Sequence, residues 1–536
     1  MKSSTLILAL LLTACGGGGG SALAEPPPAG DVSTVAQAAS PSALPAGWQH
    51  GAMMEIYVRG YQDSDGDGKG DLKGLISRLD YLKDLGITGL WLMPVTQSQD
   101  RDHGYAVSNY RAIEADYGSL ADFDELLAQA HARGIGIIID YVMNHSGATN
   151  PLFLNSRHAA DNPYRDWYVW SGGAPSSAWN IYGSYPWYST GSGWYFAGFW
   201  SQMPDFNLRN AEAVAYHHSN LRYWLNLGVD GFRFDAVGNL IENGAAAWEN
   251  QSENDALMAT VRQVVQAYPN RYMVCEAPGQ PQRYGADTVC GGAFAFGQQT
   301  AVIDATAGDA AAVASTAAYF SSAPTGMASF LSNHDAFAGE RLWDQVSGNA
   351  AEYRLAAATN LLQGRTPFLY YGEEIGMAGG AGLTGDWKLR TPMSWTSSNR
   401  GSDGFSTASP FRANSANVGS NNVLAQAGVA GSLHSFYKDV IALRKSRASL
   451  MTGAYRNPAA QGAVMSFQRV EGSETTVVAF NYANSLATAS LAGLPANAVL
   501  RRLWPVGGAN AAADAAGAAQ VPMAARSFTA FAVQAP

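Results

Sequence analysis

From Met54 onward, short apolar runs alternate with segments in which apolar residues recur at helical spacing. Several runs are continuous, as between Gly134 and Asp140. Such runs are typical of parallel strands that are covered on both faces. The pattern therefore predicts a series of buried strands, at 54–58, 86–94, 134–140, 229–235, 272–276, 328–335 and 366–371.

Amphipathic segments between these runs predict helices, most clearly at 72–82, 120–130 and 433–443. Ser119 directly precedes the second of them and is predicted to be its N-cap. Strands that alternate with helices are typical of a β/α barrel or of a doubly wound sheet. The alternation alone does not separate these two folds.

Two regions depart from the alternation. Residues 144–207 are rich in Trp, Tyr, Gly, Ser and Pro and show little helical periodicity, which predicts an irregular excursion that is functional or forms a small subdomain of its own. Beyond about Ser449 the chain changes to short β-like pieces, such as 464–467 and 476–480. These pieces predict a C-terminal antiparallel sandwich.

The N-terminus has the features of an export signal. Lys2 precedes an apolar run, Leu6 to Leu12, that is too short to span a bilayer and ends in Thr13-Ala14-Cys15. The run and its end resemble a bacterial lipobox, which implies cleavage before Cys15 and lipidation of its sulfur; an ordinary signal peptide is the alternative. Gly16 is compatible with sorting to the outer membrane. We expect an exported protein, lipid-anchored in the cell envelope or secreted.

The low charge content excludes one class of partner. Charged residues make up 14% of the chain, the net charge is −10, and there is no basic run, so a nucleic-acid partner is not expected. Behind Cys15, the glycine run and the Ala/Pro/Ser-rich residues up to about Ala46 predict a flexible tether. Cys275 and Cys290 are able to form a disulfide in an exported protein, but sequence does not show whether their Cα atoms approach closely enough.

Polar residues follow four of the predicted strands. They are Asp140 to His145, Arg233 to Asp235, Glu276, and Asn333 to Asp335. In a β/α barrel the C-terminal strand ends converge on one mouth, where active sites lie. A pair of carboxylates, one ionised and one protonated, is the equipment of a glycosidase.

Arg233 and Asp235 share one face of a strand, because side chains at i and i+2 point the same way. A guanidinium beside a carboxylate favours the ionised form, which suits a nucleophile. A structural ion pair at a strand end is the alternative.

The chain resembles the alpha-amylase family, glycoside hydrolase family 13, from about Met54 to Pro536. The motifs that carry the resemblance occur in the family's order: 86–94, 140–145, 203–207, 231–236, Glu276 and 330–335. The resemblance implies a (β/α)8 TIM barrel with an irregular domain B inserted after strand 3 and a C-terminal antiparallel β-sandwich. The predicted divisions are a signal peptide 1–14, a lipidated cysteine and flexible linker 15–47, barrel 48–143, domain B 144–207, barrel 208–448 and sandwich 449–536.

The resemblance also implies catalytic roles. Asp235 matches the nucleophile, Glu276 the general acid/base, and Asp335 the carboxylate that binds vicinal hydroxyls of the sugar. We therefore predict retention of the α configuration and a separation of about 5–5.5 Å between the carboxyl groups of Asp235 and Glu276.

Five further residues match positions that contact the reacting sugar in this family: His103, Tyr105, His145, Arg233 and His334. Tyr105 matches the stacking aromatic ring. A satisfied structural histidine is the alternative for each of the three histidines.

Residues 63–71 space carboxylates at alternate positions around a glycine, as in the first part of an EF-hand loop. This predicts a Ca²⁺ site whose ligands are Asp63, Asp65, Asp67, the Lys69 carbonyl and Asp71, although Gly74 stands where an EF-hand has its closing acid. A solvated acidic turn is the alternative.

The resemblance implies a second calcium site at Asn144 and Asp205. It also reveals a departure: many relatives have Lys-His where this chain has Gly238-Asn239, so the lysine's contacts on the leaving-group side are in doubt.

The predicted function is endo-acting hydrolysis of α-1,4 bonds in starch and maltodextrins by a monomer that binds α-glucan. The alternatives are an exo-acting α-glucosidase or oligo-1,6-glucosidase, an α-glucan transglycosylase, and a non-catalytic glucan-binding lipoprotein.

Overall fold

A computed structural model describes residues 25–535. The predictions for Cys15 and for the signal segment lie outside these residues. Eight parallel strands close into a barrel in which each strand pairs with the next and β8 pairs with β1. They are β1 Met53–Ile56, β2 Gly89–Leu92, β3 Gly136–Tyr141, β4 Gly231–Phe234, β5 Tyr272–Cys275, β6 Ala293–Phe294, β7 Met327–Ser329 and β8 Thr366–Tyr370.

The TIM barrel is thus confirmed, and the doubly wound alternative is wrong. The hydrophobic pattern missed β6, because two residues after Gly291-Gly292 are too few to form a recognisable run. The predicted helix at 72–82 is two helices that meet at Arg78. Ser119 caps its helix: its hydroxyl oxygen accepts from the Asp122 amide, and the Asp122 carboxylate accepts from the Ser119 amide, which completes a capping box.

The helices surround the barrel and fill the connections between its strands. Their bounds are Leu72–Ser77, Leu79–Leu85, Leu120–His131, Pro151–Ser156, Ala211–Leu227, Ser252–Gln266, Pro281–Tyr284, Gln298–Thr306, Ala310–Ser322, Leu342–Gln345, Ala350–Gln363, Asp386–Leu389, Val423–Gln426, Leu433–Lys445 and Ala448–Met451. No helix within residues 25–535 combines the length and the apolar character needed to cross a membrane.

The inserted residues between β3 and the helix Ala211–Leu227 contain a small antiparallel sheet of Trp170–Ser171, Gly193–Phe196 and Trp187–Thr190. Its aromatic side chains pack on one another, for example Trp187 on Phe196 at 5.1 Å between ring centroids. A hairpin, Thr96–Ser98 with Val107–Ile113, lies between β2 and the helix Leu120–His131. Both excursions leave the C-terminal ends of the barrel strands.

The C-terminal region is antiparallel, as predicted. A six-stranded sheet runs in the order Ala454–Gln461, Val464–Glu471, Glu474–Asn481, Ser527–Gln534, Val499–Trp504 and Ala511–Ala512, and a second sheet pairs Ala487–Leu491 with Ala519–Met523. Side chains alternate along Glu474–Asn481: Val477 and Ala479 pack between the two sheets, whereas Val478 and Phe480 pack on the core of the barrel domain.

The predicted flexible tether needs a correction over residues 25–47, which we call the strap. The strap has no regular secondary structure, but hydrogen bonds hold it along the barrel: Pro27 O accepts from Asn155, Ala36 O accepts from Asn226, and Leu44 O accepts from Asn270. Directly after it, the Trp48 ring fills the space left by Gly89 and Gly136, where a Cβ would lie 2.4–2.5 Å from the indole. Side-chain amides of the barrel and of the inserted region thus hold a segment whose composition predicted flexibility.

Candidate active site

The polar strand ends meet at one mouth of the barrel, where Arg233 is the central residue. Its side chain is 1% exposed, and its Nη1 donates to Asp140 at 2.8 Å and to Asp235 at 2.7 Å. Nη2 pairs with Glu276 at 2.7 Å. One guanidinium therefore holds the predicted nucleophile and the predicted acid/base side by side.

A single buried cation does not balance three carboxylates, and the proton affinities reflect this. Burial raises the pKa of Glu276 to about 7 against the opposing charge of Arg233, and the charges of Asp235 and Asp335 add to this rise. Burial likewise raises the pKa of Asp140 to about 6 against the charge of Arg233. Glu276 is thus a carboxyl group that holds its proton near neutral pH.

Asp335 has the opposite environment. It accepts from Arg390 at 2.8 Å and from His334 Nε2 at 3.0 Å, and His334 Nδ1 contacts Glu55 at 2.5 Å. Burial alone would raise the pKa of Asp335, but the charge of His334, its hydrogen bond and the charge of Arg390 hold that pKa below its usual range. Burial would lower the pKa of His334, yet Asp335 and Glu55 raise it to about 10. Asp335 therefore stays an anion beside two cations.

The predicted sugar-contacting residues line the same mouth. The Tyr105 ring stacks on His334, with centroids 5.5 Å apart and an interplanar angle of 15°, and its hydroxyl donates to Asp140 at 2.9 Å. His103 stacks on the outer side of Tyr105 and lies 3.6 Å from Asp100. The structure thus brings Tyr105, His334 and Arg233 together and places His103 one ring further out.

His145 has no hydrogen-bond partner for its buried Nε2, and burial lowers the pKa of this imidazole to about 4. Asn144 Nδ2 lies 3.3 Å from the other ring nitrogen, Nδ1. A neutral ring with one unmatched nitrogen at the mouth is suited to meet a hydroxyl group.

A family model described as the alpha-amylase catalytic domain matches residues 55–453. Alpha-amylase 3 of Dictyoglomus thermophilum is 35% identical over 358 residues, 65% of this chain and 68% of that protein. The chain belongs to the alpha-amylase family. Trehalose synthase/amylase TreS of Mycobacterium tuberculosis is 32% identical over 84% of this chain and 82% of that protein. The crystal structure of the alpha-amylase from H. orenii superposes with a TM-score of 0.78 at 30% identity, over 91% of this chain and all of that one.

The structure adds residues to this alpha-amylase-family site that the sequence did not single out as site residues: Glu55, Trp91, Asp140 and Arg390. Glu55 and Asp140 did carry a signal, because each is an acid in an otherwise apolar strand. Arg390 carried none, since it follows the short helix Asp386–Leu389 far along the chain. Trp91 donates its indole N–H to Asp140 at 3.2 Å.

The strand that ends before Glu276 is covalently tied to the next connection. Cys275, directly before Glu276, forms a disulfide with Cys290, with Cα atoms 6.4 Å apart. The sequence did not show whether these two cysteines approach closely enough to pair, and in this structure they do. The bridge joins the end of β5 to the segment that leads into β6.

The acidic loop partly fits a calcium ion. Oxygen atoms of Asp63, Asp65 and Asp71 lie within 4.8 Å of one another, and such hard oxygen ligands suit Ca²⁺. Asp67 does not join them: it accepts from the Lys69 amide at 2.8 Å and pairs with the Lys69 ammonium at 3.1 Å. Asp71 is also the N-cap of the helix Leu72–Ser77. The three carboxylates could hold calcium, with Asp67 turned away.

The tentative second calcium pair has a different arrangement. Asn144 Nδ2 donates to Asp205 at 2.9 Å, and burial raises the pKa of Asp205 to about 8. The amide nitrogen, not its oxygen, faces the carboxyl group. As arranged, this pair is a hydrogen bond and does not present two oxygens to a shared cation.

Gly238, where many family members have lysine, faces Asn250. A Cβ at Gly238 would lie 3.0 Å from Asn250 Oδ1, and a Cβ at Gly279 would lie 2.9 Å from Asn250 Nδ2. The two glycines come three residues after Asp235 and Glu276, respectively. Asn250 therefore occupies the space in which a lysine side chain at 238 would begin.

Proposed function

We propose that this glycoside hydrolase is a retaining, endo-acting alpha-amylase that cleaves α-1,4 bonds within starch and maltodextrins. The supporting observation is that large aromatic side chains are exposed on both sides of the carboxylates. Phe199 and Trp200 are 42% and 45% exposed, and Phe337 and Trp387 are 62% and 59% exposed. Phe199 lies against His145, whereas Phe337 follows Asp335 by two residues. Sugar units that continue in both directions would find stacking surfaces there.

The carboxylates have complementary protonation states for this reaction. Asp235 attacks the anomeric carbon while Glu276 gives its proton to the leaving glycosidic oxygen; Glu276 then takes a proton from the water that releases the sugar. Asp335, kept anionic by His334 and Arg390, binds hydroxyls of the reacting sugar. The contacts of Asp235 and Glu276 with one guanidinium support neighbouring carboxyl groups, and the separation of about 5–5.5 Å remains our prediction.

The deciding experiment compares two substrates, a maltoheptaoside blocked at its non-reducing end and a simple aryl α-glucoside. An endo-acting enzyme cleaves the blocked chain, because it needs no free end. Cleavage of the small glucoside alone would overturn the endo assignment in favour of an exo-glucosidase. Asp235→Asn is the control: it should abolish turnover of either substrate and leave glucan binding intact, which also distinguishes an enzyme from a binding protein.

Transfer to a sugar acceptor is the second candidate. The replacement of the usual lysine by Gly238, with Asn250 in its space, alters the side on which an acceptor would bind. The ratio of transfer product to free sugar, measured with added maltose, separates transfer from hydrolysis.

The same proposal includes Ca²⁺ at Asp63, Asp65 and Asp71, with a stabilising role. It also includes export, with a lipid anchor at Cys15. Labelling with a radioactive fatty acid, lost in Cys15→Ser, tests the anchor.

A further inference from the structure

An arc of aromatic rings runs along one side of the mouth. From His145 it passes to Phe199, at 5.5 Å between centroids, and then to Tyr182, at 6.0 Å and an interplanar angle of 30°. Trp248 meets the edge of Tyr182 at 5.0 Å. We call Phe199, Tyr182 and Trp248 the aromatic arc.

Tyr182 joins two parts of the molecule that are distant in sequence. It belongs to the inserted region, whereas Trp248 and Asn239 belong to the loop after β4. Asn239 Nδ2 donates to the Tyr182 hydroxyl at 3.3 Å across this junction. The arc thus bridges the inserted region and the barrel beside the site.

Core packing does not explain Tyr182. Its side chain is 64% exposed, and its backbone has a φ of 47°, in the left-handed region that non-glycine residues rarely adopt. Such conformations persist where the surrounding structure holds them and are frequent at ligand sites.

The arc lies on the side of Glu276. The loop whose Asn239 donates to Tyr182 also contacts Glu276: the Ala236 amide donates to the Glu276 carboxyl group at 3.0 Å, and the Val237 amide donates to the Glu276 carbonyl at 3.1 Å. A general acid faces the oxygen of the leaving group, so a surface close to Glu276 meets the sugar units beyond the bond that breaks.

We propose that the aromatic arc binds the α-linked glucosyl units on the leaving-group side, with Tyr182 as its central residue. The apolar face of a pyranose ring stacks on an exposed aromatic ring, as in other sugar and small-molecule sites lined by aromatic residues. The same units are the acceptors in transfer, so the arc also sets the division between water and sugar as acceptor. This inference rests on the proposed glycosidase function and assigns a subsite within it.

The test compares Tyr182→Ala with the native enzyme on two substrates, the blocked maltoheptaoside and α-glucosyl fluoride, whose leaving group contains no sugar. Loss of one stacking contact should lower kcat/KM for the maltoheptaoside by about 3- to 10-fold, mostly through KM, and should also lower transfer to maltose. Activity on α-glucosyl fluoride should stay within about twofold of native, because no unit of this substrate reaches the arc.

Two controls accompany this variant. Tyr182→Phe keeps the ring and should retain most of the activity on the long substrate. Tyr185→Ala removes another exposed tyrosine of the inserted region, one whose hydroxyl donates to Pro175 O, and should leave both substrates unaffected. Trp248→Ala provides a second probe of the arc if Tyr182→Ala does not fold.

Equal losses on both substrates would overturn the proposal, because they would indicate a change in the reacting pocket itself. No loss on the maltoheptaoside would overturn it as well. If the native enzyme cleaves α-glucosyl fluoride but not the blocked chain, the endo function fails instead, and transfer to maltose by Tyr182→Ala then tests the arc by itself.

Discussion

Asp335 and Glu276 occupy opposite electrostatic environments within one mouth. Asp335 has two cations of its own, His334 and Arg390, whereas Glu276 shares Arg233 with two other carboxylates. Asp335 is half-buried and Glu276 is buried, yet the pKa of Asp335 is held below the usual range and the pKa of Glu276 is raised to about 7. The count of neighbouring cations, rather than the residue type, decides which acid is an anion and which holds a proton.

The largest effect should come from removing the proton donor. Glu276→Gln should lower kcat/KM for the maltoheptaoside by about 10²–10⁴-fold, the usual contribution of general acid catalysis. α-Glucosyl fluoride should lose far less in its first step, since fluoride leaves with little protonation. Pre-steady-state release of fluoride measures that step, and an equal loss on both substrates would contradict the assignment of Glu276 as the acid.

The pH profile should reflect the same comparison. Glu276 must be protonated to act as the acid, so kcat/KM should fall as the pH rises through about 7. Arg390→Met removes a cation beside Asp335, which raises the pKa of that carboxyl group. Asp335 acts as an anion, so the acidic limb of the kcat/KM profile should move to higher pH. The alkaline limb, which depends on Glu276, should stay. A shift of the alkaline limb alone would show that Arg390 acts on Glu276 instead.

A smaller effect is expected at the junction of Gly238 and Asn250. Gly238→Lys places a Cβ about 3.0 Å from Asn250 Oδ1, so this change should lower kcat/KM by about 3- to 10-fold through displacement of Asn250. In the double variant Gly238→Lys with Asn250→Ala, the lysine has room and part of the loss should be recovered. If the losses of kcat/KM in this double-mutant cycle were additive, the two side chains would not compete for one space.

Calcium should have the smallest effect on activity at room temperature, because its loop contains none of the residues around Asp335 or Glu276. An ion at 100 times its Kd stabilises the fold by about 2.7 kcal/mol, and chelation should lower the Tm by several degrees. Asp65→Asn should abolish this calcium-dependent shift. Asp67→Asn should retain it, because the Asp67 carboxylate faces Lys69. If both variants lost the calcium-dependent shift in Tm, Asp67 would also be a ligand, as the sequence predicted.

The strand ends could be predicted because they combine two local signals, an apolar run and the polar residue that ends it. Asp235, Glu276 and Asp335 follow such runs, and the barrel topology brings them to one mouth. Arg390 could not be predicted in this way, since its place depends on how a long connection folds back over β7. The same limit applies to Asn250, whose importance depends on two glycines in other segments.

Composition gave the wrong prediction for the strap because Ala, Pro and Ser have small side chains that form neither a long apolar run nor a helical pattern. Its attachment instead depends on side chains elsewhere, such as Asn226, Asn270 and Arg271, that bond to its backbone. The docking of such a segment can be predicted only from the residues of the surface to which it binds.

The strap also determines how the molecule bears mechanical load. A pull on Glu25 reaches first the bond between Pro27 and Asn155, then the contacts with Arg111 and Asn226, and only at the end Trp48 beneath the barrel. These attachments would break one after another in chain order. Each rupture would dissipate mechanical work before the next attachment carried the force. The strands that hold the carboxylates would feel the force only after the whole strap had been released.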